Sequence, residues 1–529
     1  MAQILITDAR IADSGSLSES GSDVLIQNSQ IVSIGPSGTF GSRDAIRVVR
    51  AEGRVLSPGF IDTHSHEDHA PLLDDDDTSK VLQGITTEVN GNCGFSLAPI
   101  ATSHSKDFVS LVERIFPPLN YQWSDFRGYI DTLAQHEFVT NFVNLIGHNT
   151  VRIAAMGSDN RPPTEAEFAT MEKFIDEGIE AGAAGLSTGL IYPPGTFSTE
   201  AEVIRLAKRL PKSAVYTSHM RNESRHLLAS VRETIDIARA AGVHCHISHL
   251  KMADRRRPGK LAEALDYIDE ERRTGMAITQ DIYPYAAAST MLTALLPPWM
   301  HDGGADATLA RLGSASVVSE VAKQIADPQA DFENFGLQAG WENVVISTTD
   351  SHRFEGESIA AIAHRMKADP TDVVVKILRE EKLKATMIVH AMREEDVELA
   401  LRHPNTMIGT DGLPVGTGGR PHPRGYGSFP RVLEHYVRDQ GVLSLAEALR
   451  RFTALPAQTF GLQGRGRVKE GYVADLVLLD PDTLADNATF THPTAPPKGI
   501  DDVFIAGERV VENGRWMGRR VGKYLPARH

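Results

Sequence analysis

Short strand-like apolar runs at both ends, and a long alternation of strand-like and helix-like segments between them, organise this chain of 529 residues. Residues 4–6, 24–26 and 30–34 are apolar runs broken by Gly, Ser and Asn turns, the pattern of short strands. From Pro58 onward the period changes. Eight β-type runs end near His64, Asn90, His148, Ser187, Ser218, Ser248, Tyr283 and Thr410, with amphipathic helical stretches such as 165–181, 227–241 and 260–274 between most of them. Repeated βα units predict an α/β fold, a (β/α)8 TIM-like barrel. A doubly wound open sheet would give the same alternation.

The interval between the seventh and eighth runs is far longer than one helix needs. It holds strand-like runs at 344–347 and 387–390 and a helical run at 359–367, so a folded insertion after strand 7 is expected over about 286–400. It is read either as a lid over the barrel mouth or as a peripheral subdomain. A last barrel helix at about 443–460 is followed by Gly464, a strand run at 474–479 and a hairpin at 503–512 around Gly507-Glu508. The expected layout is therefore a small β-sandwich domain built by both termini, 1–57 and 464–529, flanking a barrel over 58–463.

Composition narrows the class. Hydrophobic residues make up 41% and charged residues 23%, which allows a sizeable core and excludes global disorder. With 54 Lys and Arg against 69 Asp and Glu, the net charge of −15 gives no footprint for nucleic acid or an anionic membrane. An anionic substrate must then meet a locally placed cation. Two cysteines, Cys93 and Cys245, exclude a disulfide scaffold. The opening residues lack a basic segment followed by an apolar core, and no long apolar span follows. A soluble, cytoplasmic enzyme acting on a small molecule is expected, with its oligomeric state open.

The chemistry lies at the strand ends. Phe60-Ile-Asp-Thr-His64-Ser-His66 delivers two imidazoles at i and i+2, on one face of a strand. Such a pair clamps a divalent metal or closes the strand as hydrogen-bonded polar residues. Cys93 follows the second run in Gly91-Asn-Cys-Gly94, a turn that can expose a thiolate, whereas Cys245 sits inside a strand run as a small buried hydrophobe. His219, His249 and Asp411 close the fifth, sixth and eighth runs. Imidazole, thiolate and carboxylate gathered at one barrel mouth suit zinc. His148, His246 and His390 are read as polar or packing residues, and Asp62 as holding the strand end. Gly416-Thr-Gly-Gly419 lacks the strand–loop–helix context of a phosphate cradle, and neither Ser187 nor Ser289 lies in a Gly-x-Ser-x-Gly elbow.

These residues resemble the amidohydrolase superfamily and, within it, the N-acyl-D-amino-acid deacylases (D-aminoacylases). The likeness runs through Pro58-Gly-Phe-Ile-Asp-Thr-His-Ser-His66, Gly84-Ile-Thr-Thr-Glu-Val-Asn-Gly-Asn-Cys-Gly94 and Ser187-Thr-Gly-Leu-Ile-Tyr-Pro-Pro194. It continues in Ser218-His-Met-Arg-Asn-Glu223, Ile247-Ser-His-Leu-Lys251, Asp281-Ile-Tyr-Pro-Tyr285 and Ile408-Gly-Thr-Asp-Gly412. His-x-His names only the superfamily; the Cys of Gly-Asn-Cys-Gly is more specific, because many relatives bridge their metals with a carboxylated Lys on strand four. The resemblance implies that Cys93, His219 and His249 hold a tight zinc and that His64, His66 and Asp411 face a second, weaker position. It also implies that Lys251, Tyr283 and Ser289 grip the substrate α-carboxylate, with Arg221 and Tyr192 close by. The implied reaction is zinc-dependent hydrolysis of an N-acyl-D-amino acid to a carboxylate and a free D-amino acid, with Asp411 moving the proton. Cyclic amide hydrolysis of the hydantoinase or dihydroorotase kind is the runner-up, and a non-catalytic scaffold a distant third.

Overall fold

The computed structural model describes residues 3–40, 46–413 and 419–529. Residues 416–418 of the Gly-rich segment lie outside that set. Eight parallel strands surround one axis: β1 (Phe60–Asp62), β2 (Ile85–Asn90), β3 (Asn141–Asn144, continued as Ile146–Gly147), β4 (Gly185–Gly189), β5 (Val215–His219), β6 (His244–Ile247), β7 (Ile278–Ile282) and β8 (Thr406–Ile408). Consecutive strands pair in parallel throughout. The circuit closes where β8 returns to β1. There Thr63 Oγ1 donates to the Ile408 carbonyl at 3.1 Å, Asp411 N–H to the His64 carbonyl at 2.7 Å, and His66 N–H to the Gly412 carbonyl at 3.0 Å. Asp62 fastens the same seam by accepting from Thr410 N–H at 2.8 Å and Thr410 Oγ1 at 2.6 Å. Strands β4, β5 and β7 are buried along their whole length, as expected for a parallel sheet covered on both faces.

The helices between strands follow local rules. Glu165–Glu180 opens on a capping box: Thr164 Oγ1 accepts from Glu167 N–H, and the Glu167 carboxylate accepts from Thr164 N–H at 2.7 Å. The third strand departs from expectation. His148 does not end it but starts the helix His148–Met156, so its ring is carried on the helix, 3.4 Å from Glu202.

Both termini enter one sheet. Val55–Pro58 runs antiparallel to Leu476–Leu479 and parallel to Gln3–Asp13, and Gly59 alone separates it from β1. Between β7 and β8 the chain builds a separate antiparallel sheet from Ala288–Met291, Thr386–Val389 and Val344–Ile346. Its own apolar core includes Leu292, Met300, Val374 and Ile377. This is the insertion expected after strand 7. Among the described residues, no helix is long and apolar enough to cross a membrane.

Candidate active site

The strand-end turns aim their side chains inward at a backbone cost. Cys93, His249 and Asp411 all have positive φ, at 53°, 35° and 47°, where a non-glycine residue is strained. Three buried residues held this way around one point mark a site rather than ordinary loop geometry. The Cys93 turn is also locked from behind, since a Cβ on Gly189 would collide with the Cys93 carbonyl.

The thiol is the hub. Cys93 Sγ lies 3.2 Å from His64 Nε2, 3.4 Å from His249 Nε2 and 3.6 Å from His219 Nδ1. Two ligands of one tetrahedral zinc, at ordinary Zn–S and Zn–N lengths, stand roughly 3.5 Å apart. Asp411 faces the other side of His64, its Oδ1 3.2 Å from His66 Nε2 and 3.7 Å from His64 Nε2. Ligand atoms of His64, Cys93 and His249 lie within 4.8 Å of one another, as do those of His64, His66 and Asp411. Burial would raise the Cys93 thiol, but the His64 and His249 imidazoles bring it well below the ordinary value. Burial likewise opposes ionisation of Asp411, yet Arg424 and His64 hold it well below the usual carboxylate range. With thiolate and carboxylate both ionised, the pocket calls for positive charge; burial disfavours a proton on His66, but Asp411 and Cys93 raise it to about 9. The donor set therefore fits a divalent metal.

Two buried carboxylates orient the imidazoles from outside. Asp281 accepts from His249 N–H at 2.5 Å and His246 Nε2 at 2.7 Å, and stands 3.5 Å from His64 Nδ1. Glu223 lies 3.0 Å from His249 Nδ1 and 3.7 Å from His219 Nε2, and accepts from Lys251 Nζ at 2.6 Å. Carboxylates behind metal-bound imidazoles fix ring orientation and raise ligand basicity. Asp281→Asn is expected to weaken metal binding by roughly 10- to 100-fold, as read by chelator competition. Unchanged affinity would mean that the ring positions are set by packing alone.

The substrate-side residues divide. Lys251, Tyr283, Ser289 and Tyr192 line the pocket beside Cys93 and Asp411. Arg221 does not: its guanidinium is turned to Glu233 at 2.8 Å and to the Thr196 and Ser198 carbonyls, on the wall of a neighbouring cavity. The arginine that does face the pocket is Arg424, which the strand-end reading passes over. It is almost fully buried, its Nη1 2.7 Å from Asp411 Oδ2, its Nη2 donating to the Ser289 carbonyl at 3.1 Å, and its guanidinium 4.6 Å from the Tyr283 ring centre. The Tyr283 hydroxyl beside it is buried and, among the described residues, has no hydrogen-bond partner. The insertion supplies Met291 and Phe335 to the same wall. On β4, Gly-Leu-Ser-Thr-Gly offers no lysine; Ser187 Oγ instead accepts from Gly94 N–H at 3.0 Å and steadies the Cys93 turn.

A buried thiol, four imidazoles and an ionised carboxylate at the mouth of a parallel barrel define a metal-dependent hydrolase. The chain belongs to the amidohydrolase family, which residues 47–511 match, and a divalent metal is its cofactor. It is 33% identical to the D-aminoacylase of Alcaligenes xylosoxydans xylosoxydans, covering 99% of this chain and 97% of that one. It is 35% identical to an N-acyl-D-glutamate deacylase of the same organism, over 92% and 88% of the two chains. The solved structure of the N-acyl-D-glutamate deacylase of Bordetella bronchiseptica, complexed with zinc and a phosphonate inhibitor, superposes with a TM-score of 0.82 at 32% identity and 99% coverage of both chains.

Proposed function

We propose that this chain is a zinc-dependent deacylase that hydrolyses N-acyl-D-amino acids to a carboxylate and a free D-amino acid. The observation that carries the reading is the shared corner of Asp411 and Arg424: the proton-moving group and a buried cation sit 2.7 Å apart beside the thiol and the imidazoles. Cys93, His219 and His249 would hold the tight zinc, with His64, His66 and Asp411 around a second, weaker position. A metal held there would supply Lewis acidity for amide hydrolysis.

The chain's own groups do the rest. Arg424, the Tyr283 hydroxyl and Ser289 form a corner for the α-carboxylate, a planar anion that a guanidinium matches with two hydrogen bonds. Lys251, held by Glu223, adds positive charge beside it. Asp411, kept ionised by Arg424, takes the proton of the attacking water and hands it to the departing nitrogen, without which an amide nitrogen leaves poorly. With the carboxylate corner and the hydrolytic centre both fixed, inverting Cα would exchange the hydrogen and the side chain, so only one enantiomer fits. The insertion, through Met291 and Phe335, acts as a lid that keeps bulk water from this corner.

The test is a panel of N-acetyl-D- and N-acetyl-L-amino acids, assayed on metal-depleted and zinc-restored protein. Hydrolysis of D-substrates alone, restored by zinc, is the expected result. Equal hydrolysis of both enantiomers, or preference for hydantoins, would overturn the reading.

A further inference from the structure

A cavity of about 770 Å³ adjoins the metal pocket, and Tyr192 and Met291 line both. Its walls are mixed, with Ile191, Leu296 and Trp299 on the apolar side and the carboxylates of Glu200, Glu233, Asp331 and Glu333 among the polar residues. Arg114 stands on its edge and also lines a smaller space of about 270 Å³, which shares Ser289 and Arg424 with the metal pocket. Only 7% of Arg114 is exposed. Its Nε–H donates to the Ser110 carbonyl at 3.2 Å; among the described residues no carboxylate forms an ion pair with it, and its terminal nitrogens have no hydrogen-bond partner. Burial pulls it down only to about 10, so it remains a cation at neutral pH.

A guanidinium carries five N–H donors, and those at the tip of Arg114 are left open to the two cavities that it lines. The other arginine of the cavity shows the usual remedy, since Arg221 is engaged by Glu233 and two carbonyls. Glu333, on the same wall, accepts Glu223 N–H through Oε2 at 2.6 Å, while among the described residues its Oε1 has no hydrogen-bond partner. Among the described residues Arg114 lacks such a partner, and it faces space large enough for the far end of a substrate.

We propose that Arg114 is a specificity-determining residue, selecting N-acyl-D-amino acids that carry a second carboxylate at the end of the side chain or of the acyl group. The proposal rests on the deacylase reading. The α-carboxylate sits at Arg424, the scissile amide beside Asp411, and the distal carboxylate reaches Arg114 past Met291, which lines both spaces.

The test compares wild type, Arg114→Met and Arg114→Lys in two measurements on the zinc-loaded enzyme. In turnover, kcat/KM for N-acetyl-D-glutamate and for N-succinyl-D-leucine is divided by that for N-acetyl-D-leucine; the arm with the high ratio identifies the source of the carboxylate. Arg114→Met should lower that ratio roughly 10- to 100-fold, chiefly through KM, as expected for loss of a charge-assisted hydrogen bond. An unchanged ratio overturns the proposal. In calorimetry, glutarate, a dicarboxylate that needs no hydrolysis, should bind wild type and lose affinity in Arg114→Met. Arg114→Lys, which keeps the charge, should stay within roughly tenfold of wild type. Equal binding to wild type and Arg114→Met, or equal defects in the Lys and Met variants, overturns the proposal even if no substrate is turned over. Arg114-dependent glutarate binding without hydrolysis of any N-acyl-D-amino acid counts against the deacylase reading and leaves the anion site standing.

Discussion

Asp411→Asn is expected to lower kcat by on the order of 10³-fold while leaving metal content nearly intact. The amide keeps the shape of the side chain but can neither take a proton from water nor deliver one to nitrogen. The residue is buried at the seam of β1 and β8, where its N–H donates to the His64 carbonyl at 2.7 Å, so the backbone is held independently of the side chain's charge. Arg424 would lose its carboxylate partner, and KM should shift as well. Turnover numbers, with zinc measured by elemental analysis on the same samples, decide the matter. Activity near wild type would remove the proton-moving role from this residue.

Cys93→Ala carries the second large effect. Its sulfur is within 3.6 Å of three imidazoles, so removing it withdraws the one donor common to all of them. Metal affinity should fall by more than the roughly 10- to 100-fold expected from orienting residues such as Asp281, and activity with it. Chelator competition and zinc stoichiometry after dialysis provide the readout. Full retention of tightly bound zinc would place the metal, and hence the chemistry, elsewhere.

Much of this site was legible from the sequence because a parallel barrel delivers its chemistry at strand ends, and a strand end is easy to find. His64 and His66 follow an apolar run at alternating positions, and Asp411 follows another. Gly91 and Gly94 mark the turn that presents Cys93. The insertion showed itself as a gap too long for one helix. Arg424 was not legible in this way. It belongs to Pro421-His-Pro-Arg424, beyond the eighth strand, at the start of the helix Arg424–Arg431, and no hydrophobic period points there. The signal available was a proline-bracketed His and Arg soon after a metal-type Asp. Arg221 misled for the opposite reason: it follows His219 by two residues, but a strand ending at His219 leaves Arg221 in a turn, free to swing to Glu233. The roles of Asp281 and Glu223 depend on which imidazole nitrogen each meets, a matter of side-chain direction that spacing does not encode. His148 was placed at a strand end because apolar runs do not distinguish a strand's last residue from a helix's first.

The seam between β8 and β1 has a consequence for how the protein is made. Chains are synthesised from the amino end, and a domain assembles only once its parts have emerged. The first imidazole pair leaves the ribosome early, the thiol and the two later imidazoles follow, and Asp411 emerges after the whole insertion. The strands that gather these donors close into one ring only when the eighth has emerged, so the imidazole–thiol cluster and the Asp411 carboxylate are completed in the same step.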